Sequence, residues 1–419
     1  MKKIIIATFI LTQLHTHAQE YMYPAKPQDK KITLNNATIH IGNGTVINNG
    51  SISFINGKIT TITNTPVTDT GATNCKGAHI YPGFIAPATN LGLVEIEAVR
   101  ATNDNAEVGN TNASVRTLSA YNTDSKVINT LRSNGVLLAH IVPSGDGISG
   151  ISSVVQLDAW NYTDAAYKAD NGIVLSLPNF FNRFGGADAA KRAQKRLDDI
   201  NTFFKDAKAS LTTNANNGTN LKYQTMADLF TKKKKLFVEA DAVKQILAAI
   251  NIKKEFDIDV VIIGGTDSYL LLDLLKQYNI PVILSQPHSL PQSQDDDVDQ
   301  PYKTPAMLQK AGILFCLSNE GFWQQRNLPF LAGTAATYGL TKEEALAAIS
   351  NNAAKILGID ATTGTLETGK DANIIISQGD VLDMQTSIIT KAYIAGRALN
   401  LNNKQTLLAR KYKAKYGIK

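Results

Sequence analysis

Tyr81-Pro82-Gly83-Phe84-Ile85-Ala86-Pro87-Ala88-Thr89-Asn90-Leu91-Gly92 is the stretch whose reading decides the fold of this chain. It marks a change of pattern. Before it, Lys31-Ile32-Thr33-Leu34, Thr38-Ile39-His40-Ile41 and Ser51-Ile52-Ser53-Phe54 alternate apolar and polar residues. Between these runs Gly42-Asn43-Gly44, Asn49-Gly50 and Asn56-Gly57 supply hairpin-turn chemistry, so the chain opens as a small β unit.

After it, short and nearly all-apolar runs alternate with helical patterns. The strand-like runs are residues 135–142, 172–177, 236–239, 260–263, 281–284 and 313–317. Helical periodicity lies between several of them, at 242–250, 268–278 and 304–310. Buried strands alternating with helices imply a parallel α/β sheet, and their number suits a (β/α)8 TIM-like barrel. A doubly wound open sheet is the alternative. Strand patterns return at 372–377 and 388–394, which implies a small β-sandwich domain built from both chain ends. The tail, 405–416, reads as a basic surface helix.

The chain has 419 residues, with Lys+Arg 42 against Asp+Glu 36 and a net charge of +6. So mild a charge does not suggest nucleic acid as a partner. The one basic run, 232–235, reads as a solvated helix end. Lys2 and Lys3, a short apolar run over 4–14, and Thr16 and Ala18 before Gln19 read as a signal peptide cut after Ala18. An N-terminal membrane anchor is the alternative. No other long apolar run occurs, so the expected location is periplasmic or extracellular. Cys75 and Cys316 are the only cysteines, and both are expected as free, buried or half-buried thiols.

Several runs together resemble the amidohydrolase superfamily, especially its imidazolonepropionase-like and exported branches. Residues 81–92 resemble the family's first barrel strand, Pro-Gly-Phe/Leu-Ile-Asp-x-His-x-His. Asn56-Gly57-Lys58-Ile59, Leu91-Gly92-Leu93-Val94-Glu95-Ile96 and Ala311-Gly312-Ile313-Leu314-Phe315 resemble further family motifs. Residues 345–357, followed by Gly364-Thr365-Leu366-Glu367-Thr368-Gly369-Lys370-Asp371-Ala372-Asn373, resemble its closing run. With the signal peptide at 1–18 and the tail helix assigned to 401–419, the resemblance implies a β-sandwich from 19–80 and 363–400 and a barrel over 81–362. It implies a hydrolase of carbon–nitrogen bonds that uses zinc or another divalent metal to activate water.

The residues that should hold the metal are not there. Ala88 and Asn90 stand at the first-strand histidine pair, and Ala86 stands where that motif has Asp. Glu239 stands at the fifth-strand histidine, and Asn319 at the eighth-strand Asp. The span Gly264-Gly265-Thr266-Asp267, where the sixth-strand histidine belongs, contains none. The fourth-strand bridging residue has no safe counterpart, although Asn179 and Asn182 lie near that strand's end. Alanine has no donor atom, and an amide oxygen is a poor zinc ligand beside imidazole. No cofactor is therefore expected.

Past residue 18 the histidines are His40, His79, His140 and His288. His140, inside a strand, reads as packed and hydrogen-bonded. His288, just past the seventh strand, sits where a site loop would be. Glu239, Asp267, His288 and Glu320 form an alternative carboxylate-rich set that would suit a harder metal than zinc. The acidic run 295–299 lacks EF-hand spacing and reads as a solvated loop. Gly145-Asp146-Gly147-Ile148-Ser149-Gly150 matches G-x-G-x-x-G, but a β-branched run follows where a dinucleotide site needs a helix.

Two readings follow. One is a non-catalytic protein that binds a small polar ligand, or serves as the partner of an active amidohydrolase relative, with a homo-oligomer possible in principle. The other is a hydrolase with a rebuilt site. There the catalytic candidates are Glu239, Asp267, His288 and Asn319, and the binding candidates are Asn90 and Glu320.

Overall fold

The computed structural model describes residues 23–69, 71–180, 188–211, 220–285, 287–290 and 297–418. The signal-peptide reading, Asn182 and residues 295–296 of the acidic run lie outside the described residues. Among the described residues no helix is long and apolar enough to cross a membrane.

Two eight-stranded sheets organise the chain. The first contains β1 (Ile32–His40), β2 (Val46–Ile55), β3 (Lys58–Thr63), β4 (Thr73–Asn74) and β5 (His79–Pro82). The second contains β6 (Phe84–Thr89), β7 (Val136–Ile141), β8 (Gly147–Gln156), β9 (Ala166–Ser176), β10 (Lys235–Ala240), β11 (Val260–Gly264), β12 (Val282–Ser285) and β13 (Phe315–Ser318). Strands β14 (Ile374–Ser377), β15 (Ile389–Ile394) and β16 (Arg397–Ala398) return to the first sheet.

The order of the first sheet is β16-β15-β14-β5-β1-β2-β3, with β4 on β1. The two chain ends meet where β14 pairs antiparallel with β5, from Ile374↔Pro82 to Ser377↔His79. Leu34, Ile52, Phe54, Ile80, Ile374 and Tyr393 fill its own core, making the small β-sandwich domain. Gly83 alone separates this sheet from β6. A Cβ there would stand 2.5 Å from Leu137 Cδ1, so the crossing needs glycine for space.

The second sheet is the nearly closed, TIM-like barrel. Seven of its strands run parallel, and β8 runs antiparallel to both β7 and β9. The glycine-rich run that matched a dinucleotide fingerprint is the turn that reverses the chain into β8. Its β-branched continuation is a strand, as its composition implied.

The barrel interior is apolar. Each strand contributes at least one side chain to a single cluster, among them Ile85, Leu138, Val154, Val174, Phe237, Val261, Ile283 and Cys316. The helix Asn351–Leu357 closes the end at which the parallel strands begin, adding Ala353, Ala354, Ile356 and Leu357 to that cluster. Two lysines hold it there. Lys235 Nζ donates to the carbonyl of Ile356 at 2.7 Å, and Lys168 Nζ to that of Leu357 at 3.0 Å. Cations at a helix C-terminus are favourable because the last carbonyls are unpaired and the helix dipole is negative there. Burial pulls both ammonium groups down from the ordinary lysine range. Lys235 thus departs from the solvated reading of 232–235: it opens β10, where its stem packs and its head caps a helix.

The barrel seam lies between β6 and β13, the two ends of the strand order, and side chains stitch it. Gln325, fully buried, donates from Nε2 to Ala88 O at 2.9 Å on one side and to Asn319 O at 2.6 Å on the other. Ser318 Oγ donates to Ala88 O at 3.1 Å, and Thr89 Oγ1 to Gly321 O at 3.3 Å. Gln325→Leu keeps the volume but strands two carbonyls in the interior. It is expected to cost about 1–3 kcal/mol, read from the midpoint of urea unfolding.

A buried ion cluster ties the sheets together. Asp158, just past β8, accepts from Arg132 Nη1 and, at 2.9 Å, from Arg397 Nη1 of β16. The backbone N–H of Ala25 donates to the same carboxylate at 2.9 Å, and Arg397 also reaches Gln156 Oε1 at 2.8 Å. Asp158 is 3% exposed and Arg132 is 5% exposed. Cys75 and Cys316 are free thiols, the first half-buried and the second buried.

Candidate site at the barrel mouth

Side chains at the ends of the parallel strands, opposite the helical plug, form the face where barrel sites lie. The first strand reaches this face through a register shift between Ala86 and Thr89. Ala88 consequently packs into the apolar interior cluster rather than offering a donor there. Asn90 follows, half-buried, with Oδ1 buried and without a hydrogen-bond partner.

Glu239 lies across the barrel, level with Ser176 on β9 and Ile263 on β11. It is two residues on from Phe237 of the interior cluster, so strand alternation turns it inward. Burial raises its carboxyl to about 7, against a lowering hydrogen bond from Ser176 and with a raising push from the Asp241 charge. Near neutrality Glu239 is therefore divided between acid and carboxylate, the condition of a group able to take or give a proton. Burial and the same Asp241 charge also raise Glu320. The Asp241 charge thus acts on both Glu239 and Glu320.

His140 is the residue sequence reasoning undervalued. It pairs with Val154 on β8 and lies two residues beyond Leu138, both interior residues. It is fully buried, its ring centroid 4.6 Å from that of Phe237. Nδ1 stands 2.8 Å from Pro87 O. A carbonyl only accepts, so Nδ1 carries the proton and Nε2 is a bare lone pair. That lone pair has no partner. Burial lowers the imidazole to about 4, opposed by the bond to Pro87, so the ring is neutral at neutral pH. It is packed and hydrogen-bonded at one nitrogen, as its strand setting implied, and open at the other. The available signal was its spacing from Leu138, which puts both on one face of the strand.

The other candidates are engaged elsewhere. Asp267 accepts the backbone N–H of Val243 at 3.0 Å, at the start of the helix Val243–Phe256. His288 Nε2 meets Thr334 Oγ1 at 2.6 Å, and its ring stands edge-on to Tyr302 at 5.8 Å. Both partners belong to outer helices, so the loop histidine joins the helical layer. Asn319 donates from Nδ2 to Gln324 O at 3.2 Å, within its own turn. The four-residue set Glu239, Asp267, His288 and Glu320 is thus not assembled as one group.

This donor set does not fit the metal centre that the resemblance implied. The sixth-strand span Gly264-Gly265-Thr266-Asp267, which lacks a histidine, is also crowded at its first residue. Gly264 adopts φ +105°, and a Cβ there would lie 2.5 Å from Asp241 Oδ1. Asp241 in turn accepts from Thr266 Oγ1 at 2.7 Å, which fixes the carboxylate where a larger side chain would go. Among the described residues no three His, Cys, Asp or Glu side chains gather in a way that could hold a metal ion. Beside the mouth, Asp146, Gly147, Ile148, Ser176 and Arg196 help line a small cavity of about 60 Å³, which brings the glycine-rich turn next to the site.

The sequence model of the Amidohydrolase family matches residues 305–407. An amidohydrolase from Thermotoga maritima MSB8 superposes with a TM-score of 0.78 at 23% identity, covering 88% of this chain and 99% of its own. A prolidase complexed with N-methylphosphonate-L-proline does so at 0.57 and 13% identity, covering 88% and 100%. Molinate hydrolase follows at 0.54 and 13%, covering 89% and 95%. No curated protein matches the sequence. The chain thus has the fold of these amidohydrolases, and residues 305–407 match the sequence model of the Amidohydrolase family.

Proposed function

We propose that this chain is an exported amidohydrolase-fold protein that works without the superfamily's metal centre, binding a small polar ligand at the barrel mouth. The observation that carries the reading is the donor set: Ala88 packed among apolar side chains, Asn90 and Asn319 as amides, and Gly264 backed by the Asp241 carboxylate. A ligand takes the place of the metal and its water, held by neutral His140, by Asn90 and by Glu239. Export follows from the N-terminal pattern, with cleavage near Ala18. An active amidohydrolase relative is the fitting protein partner for a mouth that binds without reacting.

One observation favours the second reading, a rebuilt hydrolase of carbon–nitrogen bonds. Glu239, raised to about 7, has the proton affinity of a general base. In that case it would draw the proton from an attacking water while Ser176 orients its carboxylate.

Elemental mass spectrometry on mature protein, purified without chelator or metal-binding tag, separates the possibilities. The expected result is a protein with well under one equivalent of zinc, manganese or iron that stays so after metal is added and dialysed away. Near-stoichiometric metal would overturn the metal-free reading. Asn90→His is expected to create no zinc-dependent amide hydrolysis, since one imidazole leaves the other positions unchanged. A clear gain of such activity would count equally against it.

A further inference from the structure

The net charge of this chain sits in one element. Six of its 42 Lys and Arg lie within 404–419 (Lys404, Arg410, Lys411, Lys413, Lys415 and Lys419), and none of its 36 Asp and Glu does. The remaining 36 cations match the 36 acids, so the whole +6 belongs to this segment. The helix Lys404–Tyr416 carries five of the six and buries no side chain. It is tied down at its start. Asn403 Oδ1 accepts the Thr406 backbone N–H at 2.9 Å, Asn403 Nδ2 donates to Ser133 Oγ at 2.7 Å, and Thr130 Oγ1 donates to Gln405 Oε1 at 3.2 Å. From Leu408 to Ile418 every residue is exposed. Lys411 and Lys415, one turn apart, repel each other with no acidic residue in the helix to offset them. Leu408, Tyr412 and Tyr416 recur every four residues and form an exposed row on one face. By the helical period of about 3.6 residues, Lys411 and Lys415 border that row on one side and Lys413 on the other. Leu407, which is partly buried, lies on the opposite side, toward the body of the protein.

We propose that the helix Lys404–Tyr416 lies on anionic phospholipid bilayers and docks the protein to their surface. A bilayer surface of that kind supplies both things the helix lacks, negative charge along its length and an apolar layer beneath. Each Lys or Arg held near an anionic leaflet adds to the attraction. Tyrosine rings suit headgroup depth, because the ring is apolar and the hydroxyl is polar. Lysine stems can cover the apolar row while their ammonium heads stay in water. The helix lies in the plane of the surface, being too short and too charged to span. A nucleic-acid duplex offers charge but no apolar layer for Leu408, Tyr412 and Tyr416. Docking of this kind is independent of what the barrel mouth holds.

The test is co-sedimentation of the mature protein with two kinds of vesicle, phosphatidylcholine alone and phosphatidylcholine with about 30% phosphatidylglycerol, at about 0.1 M salt. The expected result is saturable binding to the anionic vesicles, at least about tenfold weaker binding to the neutral ones, and release at about 0.5 M salt. Lys411→Gln, Lys413→Gln and Lys415→Gln combined are expected to weaken binding about a hundredfold. Tyr412→Ser with Tyr416→Ser is expected to weaken it about tenfold. The helix buries no side chain, so both variants should unfold within about 2 °C of wild type, which separates lost binding from lost folding. Absence of binding to anionic vesicles, equal binding to neutral ones, or an affinity unmoved by the lysine variant would each overturn the docking role. Wild-type affinity in the tyrosine variant, or equally tight binding to a short DNA duplex, would make the contact a general one for polyanions and overturn the lipid assignment.

Discussion

Asp158→Ala is expected to destabilise the protein by about 3–5 kcal/mol, the cost typical of removing one partner from a buried ion pair. The carboxylate is almost wholly enclosed and accepts from Arg132, Arg397 and the Ala25 backbone. Taking it away leaves two guanidinium groups facing each other without a counter-charge. Arg132 already carries the strain of burial, which lowers its proton affinity against the pull of Asp158. The midpoint of urea unfolding measures the loss. Asp158→Asn separates charge from shape. It retains one acceptor but not the compensating charge, so most of the loss should remain. A loss below about 1 kcal/mol in the alanine variant would mean that water reaches the cluster and screens it as at a surface.

The second large effect concerns pH, and two groups at the barrel mouth pull in opposite directions. Glu239 is raised from an ordinary 4.5 to about 7. Its contribution to stability is fully present below pH 4.5 and is lost as pH rises through 7. His140 is lowered from 6.5 to about 4. Its contribution is present above pH 6.5 and is lost as pH falls through 4. Each shift corresponds to roughly 3 kcal/mol. Between about pH 4.5 and 6.5 the two slopes oppose, so these groups together leave stability nearly level there. Glu239→Gln removes one slope. The difference between variant and wild type is expected to grow in the variant's favour by about 3 kcal/mol as pH rises from 4.5 to 7. His140→Asn can still donate to Pro87 O and should give a difference curve of opposite sign between pH 6.5 and 4. Chemical unfolding at half-unit steps measures both. A flat difference curve for Glu239→Gln would show that its carboxyl is hydrated and titrates like a surface acid.

Much of the architecture was legible in the chain, for identifiable reasons. The barrel strands β10 to β13 are short apolar runs because both of their faces are buried, and helical periodicity separates them. The turns of the first sheet were visible as Asn-Gly pairs. The reversed strand β8 was visible only in part. Its β-branched run identified a strand, but strand direction depends on which neighbour it pairs with. The expected helix at 268–278 instead breaks into a 3-10 turn, Ser268–Leu270, and a short helix, Leu272–Gln277. Lys235 was misread because a lysine run has the same composition whether its last member meets water or a helix end.

At the site, the sequence by itself determined chemistry that no packing can change: Ala88 has no donor atom, and Asn90 and Asn319 are amides. It also placed Glu239 at the end of a barrel strand. Only the tertiary structure decided what those groups became. Burial between Ser176 and Asp241 turned Glu239 into a neutral-range acid, and contact with a β6 carbonyl left one nitrogen of His140 open. It also carried His288 and Asp267 to helix contacts away from the group they were expected to join. The division has one physical cause. Donor atoms belong to a residue type, whereas proton affinity, free lone pairs and convergence depend on which distant segments fold against it.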